Sequence, residues 1–337
     1  MARIERDGPL RFDRFMELAL YDETDGFYSS GGAAGRRRGD FITSPEVGPL
    51  FGAVVARALD QWWDAASRPN LFVVAEAAAG RGALARSILA AEPACAGALQ
   101  YRLIETSASL RAEHDDLIAR GAGSSGSWPT VGEPPIDVVI ANELLDNLPT
   151  RVLERTEHGW AEVAVDADLN EVLIDLEGEP PATAVNVPVG ARIPWAEQAD
   201  AWVDEARHRA GTSIVAFDYG ASTPELAERG QSGWLRGYRN HTRVVDVLAS
   251  PGSADITVDV PFDQLPACTT TTQAEWLRVH GIDDLTATAR TVWEAERAAG
   301  GMAAIRARSA IIEAEALTDP AGLGAFVVAE WTGNRHP

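Results

Sequence analysis

The sequence predicts an α/β fold built on a parallel sheet, and three observations carry that prediction. Residues 71–91, LFVVAEAAAGRGALARSILAA, begin with an apolar run, Leu71 to Ala75, that ends in Glu76. The small-residue stretch Ala77-Ala78-Ala79-Gly80-Arg81-Gly82 follows, then a segment with Leu84, Ile88 and Leu89 at helical spacing. That pattern is strand, Gly-rich turn, helix. Two further apolar runs of strand length, QYRLIE (100–105) and IDVVIA (136–141), alternate with helical stretches, as in a sheet buried on both faces. All three runs lead into polar residues: Glu76, Glu105-Thr106 and Asn142-Glu143.

Taken in order, LRFDRFMELALYD (10–22) places Leu10, Phe12, Phe15, Leu18 and Ala19 on one side of an amphipathic helix. A turn-rich stretch, Tyr21 to Tyr28, leads to a basic loop, GGAAGRRRG (31–39). A second helix runs from Leu50 to Trp63, with Ser44 read as N-cap, Pro45 as first helical residue and Val47 near the capping-box acid position. After the Glu105 strand, Thr106 to Arg120 reads as a helix with Leu110, His114 and Leu117 on one face, and Gly121 to Pro129 as a loop. From Thr150 to Gly178 apolar and polar residues alternate, an antiparallel ribbon added to the sheet domain. A helix (196–210), a buried strand TSIVAF (212–217), a polar stretch to Ser253 and a strand (256–260) come next. Helices at 273–280, 284–299 and 303–317 and a final strand, 325–331, complete the chain. The 303–317 helix aligns Ile305, Ser309, Ile312 and Ala316.

Composition narrows the function. The chain has 337 residues and 46% hydrophobic residues, room for one large α/β domain with insertions or for two domains. A net charge of −21 and a pI near 4.6 argue against a general nucleic-acid binder, because phosphates are repelled. No stretch has the apolar length of a membrane span. The opening residues MARIERDGPLRF lack the apolar core of a signal peptide and the acid-free character of a transit peptide, so the expected compartment is the cytosol. Every basic residue is Arg, with no Lys, and Ala is abundant, which suggests a GC-rich bacterial source. Cys95 and Cys268 read as buried thiols in a reducing compartment. The six histidines form no His-x-x-x-His pair and there is no Cys-x-x-Cys, so no metal site is expected. A Gly-x-Ser-x-Gly elbow and a GK[ST] phosphate loop are also missing.

In an open parallel sheet, ligands sit beyond the C-terminal strand ends. Glu105 lies nearly thirty residues after Glu76, the range in which a carboxylate accepts the hydroxyls of an adenosine ribose. Two ligands compete. A dinucleotide fold carries phosphate-cradling glycines here, and the charge of Glu76 would repel a pyrophosphate. S-adenosylmethionine, with a sulfonium, an amino group and a ribose, suits the acids better. An NAD-type protein remains if Glu76 points away from the turn.

The runs GDFITSPEVGPLFG (39–52), EAAAGRGAL (76–84), IETSASLR (104–111) and ANELLDNLP (141–149) resemble the MidA-type methyltransferases, which are related to the mitochondrial complex I assembly methyltransferase. FMELALYDETDGFY (15–28), FDYG (217–220), GWLRGYRNH (233–241), PGSADITVDVPF (251–262) and QAEWLRVHGI (273–282) extend the resemblance over nearly the whole chain. It implies a class I, Rossmann-like methyltransferase fold: a seven-stranded sheet with added N-terminal helices and inserted antiparallel strands and helices. Residues 1–65 would close the donor site, and 66–337 would form the methyltransferase domain with insertions near 150–210 and 221–320. S-adenosylmethionine is the implied cofactor. Glu76, Gly80 and Gly82 would line its methionine part, Glu105 with Thr106 would hold the ribose, and Thr43, Ser44 and Pro45 would close over it. Asn142, Glu143 and Asp146 would face the methyl group and the acceptor. The family turn reads Glu-x-Gly-x-Gly-x-Gly, and this chain has Ala78 at the first Gly. A Cβ at positive φ costs about 1 kcal/mol.

The mitochondrial relative implies a protein arginine as acceptor. A guanidinium needs carboxylates that grip it and leave one nitrogen free to attack. Glu143 is expected to orient the acceptor and Asp146 to remove a proton or touch the guanidinium, while helix capping accounts for Asp146 equally well. Asn142 reads also as a turn residue, and Asp218 as either a supporting group or a plain turn. A small-molecule methyltransferase and a non-catalytic assembly protein with a weakened donor site are the alternatives. The expected partner is a protein substrate, with no nucleic acid and no membrane; a homodimer is a possible assembly. The Arg36-Arg37-Arg38 run reads as a solvated loop, and Trp62, Trp63, Trp276 and Trp293 as core or interface residues.

Overall fold

A computed structural model describes residues 8–29, 43–130, 132–239 and 242–333. The basic loop 31–39 and residues 39–42 of the GDF motif lie outside the described residues. By its internal contacts the chain forms two compact units, one comprising Met1–Asp40, Glu143–Glu205 and Asp218–Cys268, the other Phe41–Asn142, Ala206–Phe217 and Thr269–Pro337.

The second unit holds the expected sheet of seven strands. They are β1 (Phe72–Ala77), β2 (Leu99–Ile104), β3 (Gly123–Ser125), β4 (Ile136–Asn142), β5 (Ala210–Asp218), β6 (Thr269–Thr272) and β7 (Val327–Thr332). Across the sheet the order is β6-β7-β5-β4-β1-β2-β3. Strands β3, β2, β1, β4 and β5 pair parallel, and β6 pairs antiparallel with β7. Chain order reverses between β1 and β4, the switch point at which an open sheet receives its ligand. Every residue of β1 is buried, which is why its sequence is apolar without alternation.

Helix Pro49–Ala65 covers this sheet with Phe51, Val54, Val55 and Leu59, in one core with Val74, Leu84 and Ile88. Placed by expectation in the N-terminal segment, it belongs to the core of the sheet unit. Phe217 of β5 meets Phe51 and Trp276 edge-on, with centroids 5.1 and 4.9 Å away. The cap of the preceding turn lies one residue earlier than expected: Thr43 is the N-cap of Ser44–Val47 and Glu46 completes the capping box. Val47 has no polar atom to reach back, whereas the Glu46 carboxyl group accepts from the Thr43 N–H. Ser44 is inside the helix, buried, and donates to Gln273 Oε1 at 2.8 Å.

Three expectations within this unit are corrected. The Thr106–Arg120 helix is broken into Ala108–Arg111, a 3-10 turn Ala112–His114 and Asp115–Ile118. The expected loop after it contains β3, whose Gly-Ser-Ser sequence carries no strand signal. The helix Met302–Leu317 buries Ala304, Ala307, Glu313, Ala314 and Leu317, while Ile305, Ser309, Ile312 and Ala316 are exposed. Apolar residues occupy both sides of this helix, so periodicity alone selects no face, and the small side is the one that packs closely.

In the first unit the Thr150–Gly178 ribbon is not an extension of the parallel sheet. Arg151–Thr156, Gly159–Val165, Glu171–Asp175, Arg192–Trp195 and Leu10–Arg11 form their own five-stranded sheet. Val152, Val163 and Val165 pack against Phe12, Phe15, Met16 and Leu20 of the expected amphipathic helix, Phe12–Tyr21. Arg151 and Glu162, both buried, bridge adjacent strands at 2.6 Å. The stretch read as polar to Ser253 folds into helices Thr223–Arg229 and Gln231–Trp234 and two strands of a three-stranded sheet. Cys95 is buried and Cys268 half-buried. Among the described residues no helix is long and apolar enough to cross a membrane, and no cluster of His, Cys, Asp and Glu could hold a metal ion.

Buried Glu313 caps the N-terminus of Pro49–Ala65, its Oε2 accepting the Leu50 N–H at 2.9 Å. A Cβ on Gly48 would lie 2.2 Å from the Glu313 Cδ, so only glycine admits this plug. Glu313→Ala removes an N-terminal partner of the helix and lowers stability by about 1–2 kcal/mol, readable as an earlier urea midpoint.

Candidate functional site

The turn between β1 and helix Ala83–Ala90 is built on three left-handed residues: Ala78 (φ 51°), Gly80 (φ 53°) and Gly82 (φ 79°). Gly82 is required twice over, by its φ and because a Cβ would meet Leu117 Cδ1 at 2.6 Å and Leu103 Cδ2 at 3.1 Å. At Gly80 only φ demands glycine, since among the described residues nothing lies within 4 Å of a Cβ built there. The backbone at Gly80 therefore adjoins space that no described side chain fills. The expected positive φ at Ala78 is present, so this residue carries the strain that the family glycine avoids.

Glu105 and His114 hold Gly80 through its N–H and its carbonyl, which belong to successive peptide groups. The Gly80 N–H donates to Glu105 Oε2 at 2.9 Å, and Glu105 Oε1 accepts the Ser107 N–H at 2.7 Å. The Gly80 carbonyl lies 2.8 Å from His114 Nε2, and since a carbonyl only accepts, that nitrogen carries the hydrogen. His114 Nδ1 is 2.9 Å from Ser124 Oγ of β3. Sequence reading placed His114 on an apolar helix face without a role. The signal was there, since a histidine between buried leucines must find polar partners.

Glu76, expected to line the donor, is only 4% exposed. Its Oε2 accepts the Tyr101 hydroxyl at 2.7 Å, and it is also hydrogen-bonded to the Ala85 backbone. Burial pushes this carboxyl group up to about 7, against the pull of those two bonds. Glu76 thus ties the β1 end to β2 and to the helix start. Thr106 is exposed, and its carbonyl accepts from Arg111. Thr43, Ser44 and Pro45 belong to the capping turn, and helix Ser44–Val47 packs on Ala83–Ala90, the helix that the turn opens.

Asn142 ends β4, in register with Phe217 of β5. In the other unit, Glu143 is half-buried with φ 50°, a strained conformation for a residue with a side chain. The 3-10 turn Leu145–Asn147 follows. Glu143 and Asp146, both expected to face the acceptor, differ in exposure: Asp146 is 2% exposed and accepts the Tyr219 hydroxyl. Asp218, fully buried, accepts the N–H groups of Leu145 (2.8 Å), Asp146 (3.3 Å) and Tyr219 (2.9 Å), so it is a supporting group.

The family model described as "Putative S-adenosyl-L-methionine-dependent methyltransferase" matches residues 54–282. The chain belongs to this family and is an S-adenosylmethionine-dependent methyltransferase. It is 27% identical over 309 residues to the mitochondrial protein arginine methyltransferase NDUFAF7 of Rattus norvegicus, covering 79% of this chain and 67% of the relative. The NDUFAF7 of Danio rerio is 27% identical over 332 residues, covering 84% and 75%. A COG1565 superfamily structure from Burkholderia thailandensis bound to S-adenosyl-homocysteine superposes with a TM-score of 0.81 at 28% identity, covering 98% of this chain and 90% of that one. A native structure of a COG1565 superfamily protein from the same organism gives 0.79 at 27%, covering 99% and 90%. S-adenosylmethionine is the cofactor, and the ligand choice left open by the acids is made by the family.

Two measurements test this geometry. Ala78→Gly relieves the left-handed strain and raises stability by up to about 1 kcal/mol, with tighter donor binding by calorimetry. Glu76 has a folded pKa raised from 4.5 to about 7, so its favourable contribution is complete below 4.5 and lost as pH rises through 7. Glu76→Gln removes that loss, and its stability relative to the wild type improves by on the order of 3 kcal/mol between about pH 4 and about pH 8 in urea titrations.

Proposed function

We propose that this methyltransferase acts on an arginine side chain of a protein, with Glu143 as the acceptor-binding carboxylate. The observation that carries the reading is the strained Glu143 directly after the last residue of β4, in a chain whose relatives are named protein arginine methyltransferases. Strain of this kind persists where the surroundings over-determine it, and it concentrates at functional sites.

The donor fits the turn as built. S-adenosylmethionine supplies a methyl group made electrophilic by its sulfonium. Glu105 uses one lone pair on each oxygen for Gly80 and Ser107, which leaves acceptor capacity for the ribose hydroxyls. The open side of Gly80 supports placing the methionine part there. Glu143 would hold two guanidinium nitrogens and fix the direction of the third, and orientation of this kind supplies a large share of the rate in an in-line displacement.

Calorimetric titration with S-adenosylmethionine, then methyl labelling of a host lysate and mass spectrometry, tests the reading. Glu143→Gln should bind the donor as the wild type does and lose about 100-fold or more in transfer to arginine. Labelling confined to small molecules would replace the protein acceptor, and absence of donor binding would leave an assembly role in its place.

A further inference from the structure

The motif residues that the donor turn leaves unused meet around the turn Leu145–Asn147. Tyr28 comes from the FMELALYDETDGFY run, Asp218 and Tyr219 from FDYG, Arg236 from GWLRGYRNH, and Asp255 and Asp259 from PGSADITVDVPF. On one side of the turn, the Tyr21 hydroxyl donates to the Asn147 carbonyl at 3.0 Å. The Asn147 amide donates to Asp255 Oδ1 at 3.0 Å and to the Ile256 carbonyl at 3.1 Å. The Tyr28 hydroxyl lies 3.0 Å from the same Asp255 oxygen and 3.1 Å from Asn147 Oδ1. On the other side, Asp218 takes its three backbone N–H groups and the Tyr219 hydroxyl takes Asp146 Oδ2. The Arg236 guanidinium lies over the Tyr219 ring at 5.0 Å and is paired with Asp259.

Two buried carboxyl groups therefore share this turn, and they are not equivalent. Asp218 is surrounded by donors. Asp146 receives one hydroxyl, and its Oδ1 finds no hydrogen-bond partner among the described residues. An ionised Asp146 would place charge on an oxygen no donor reaches, beside a second buried acid; a protonated one places a neutral group there. Among the described residues no cation forms a salt bridge with either, the Arg236 pairing being with Asp259. Burial first, and then the charge of Asp218, raise Asp146 well above the usual carboxylate range, with Asp255 adding to this and Tyr219 and Arg236 offsetting part. Burial and the charge of Glu143 push Asp218 up to about 8, against its backbone donors. Both acids are held toward their neutral forms, and the geometry makes Asp146 the harder of the two to ionise: three N–H groups face Asp218, whereas none reaches Asp146 Oδ1.

We propose that Asp146 is a positioning residue that works as a neutral carboxylic acid held by Tyr219, and that Glu143 alone carries the acceptor-binding charge of segment 142–149. Asp146 then sets the shape of the turn behind Glu143 and neither removes a proton nor grips the guanidinium. The kinetic part of the test rests on the methyltransferase reading above; the spectroscopic part does not.

Asp146→Ala should lower kcat about tenfold or more with the donor KM unchanged, and Asp146→Asn, which keeps the shape of a neutral acid, should recover it to within about threefold. An Asn variant as impaired as the Ala variant, with donor binding and circular dichroism intact, overturns the proposal. Infrared difference spectra between the wild type and Asp146→Asn at neutral pH should show the carbonyl stretch of a protonated carboxyl group, shifted in heavy water. Loss of carboxylate bands alone overturns the proposal, whether or not an acceptor has been found. A wild type that transfers no methyl group defeats the functional reading, and the infrared result still decides the state of Asp146.

Discussion

The sheet unit depends on how one residue, Gly80, is held. Gly80 gives its N–H to Glu105 and its carbonyl to His114, so the end of β2 and the broken helix after it both act on the loop following β1. Ala78, Gly80 and Gly82 can keep left-handed geometry because this grip stands against the backbone preference. Glu76 acts from below, joining β1 to Tyr101 and the helix start. The result is a preformed shape whose open side is at Gly80, where no described side chain intrudes. Such preorganisation spares a ligand the cost of ordering the loop.

The other unit repeats the idea with different chemistry. Leu145–Asn147 is a single turn, yet Tyr21, Tyr28, Asp218, Tyr219 and Asp255 all bond to it. Buried polar groups are expensive unless satisfied, and their clustering marks a place where geometry matters more than stability. Arginines do similar work nearby: Arg236 joins Asp259 to the Tyr219 ring, and Arg151 bonds Glu162 and Glu197. In a chain without lysine, these planar groups pair bidentately and stack as an ammonium would not.

Much of this was legible in the sequence. Strands β1, β2, β4 and β5 announce themselves as apolar runs, whereas β3 does not, and the Gly-rich turn after β1 followed from local pattern. What stayed hidden depends on partners distant in the chain. His114 is 34 residues from Gly80 and Tyr101 is 25 from Glu76, and neither separation leaves a periodic trace. For Asp146 the sequence leaves guanidinium contact and capping equally open, because it shows the residue type and not the enclosure made by Tyr219, 73 residues later. The packed face of Met302–Leu317 stayed hidden because both its sides are apolar, while the antiparallel ribbon was legible as alternation.

The plug at Gly48 has a consequence for how the molecule comes into being. Glu313 closes the start of Pro49–Ala65 across a separation of 263 residues, and Gln273 receives the Ser44 hydroxyl across 229. A helix that lines the sheet core thus waits for groups that the ribosome delivers more than two hundred residues later. Domains ordinarily mature from the leading end during translation. Here the early part of the chain must be kept from misassembly until Met302–Leu317 emerges, and long-range closure of this sort slows folding.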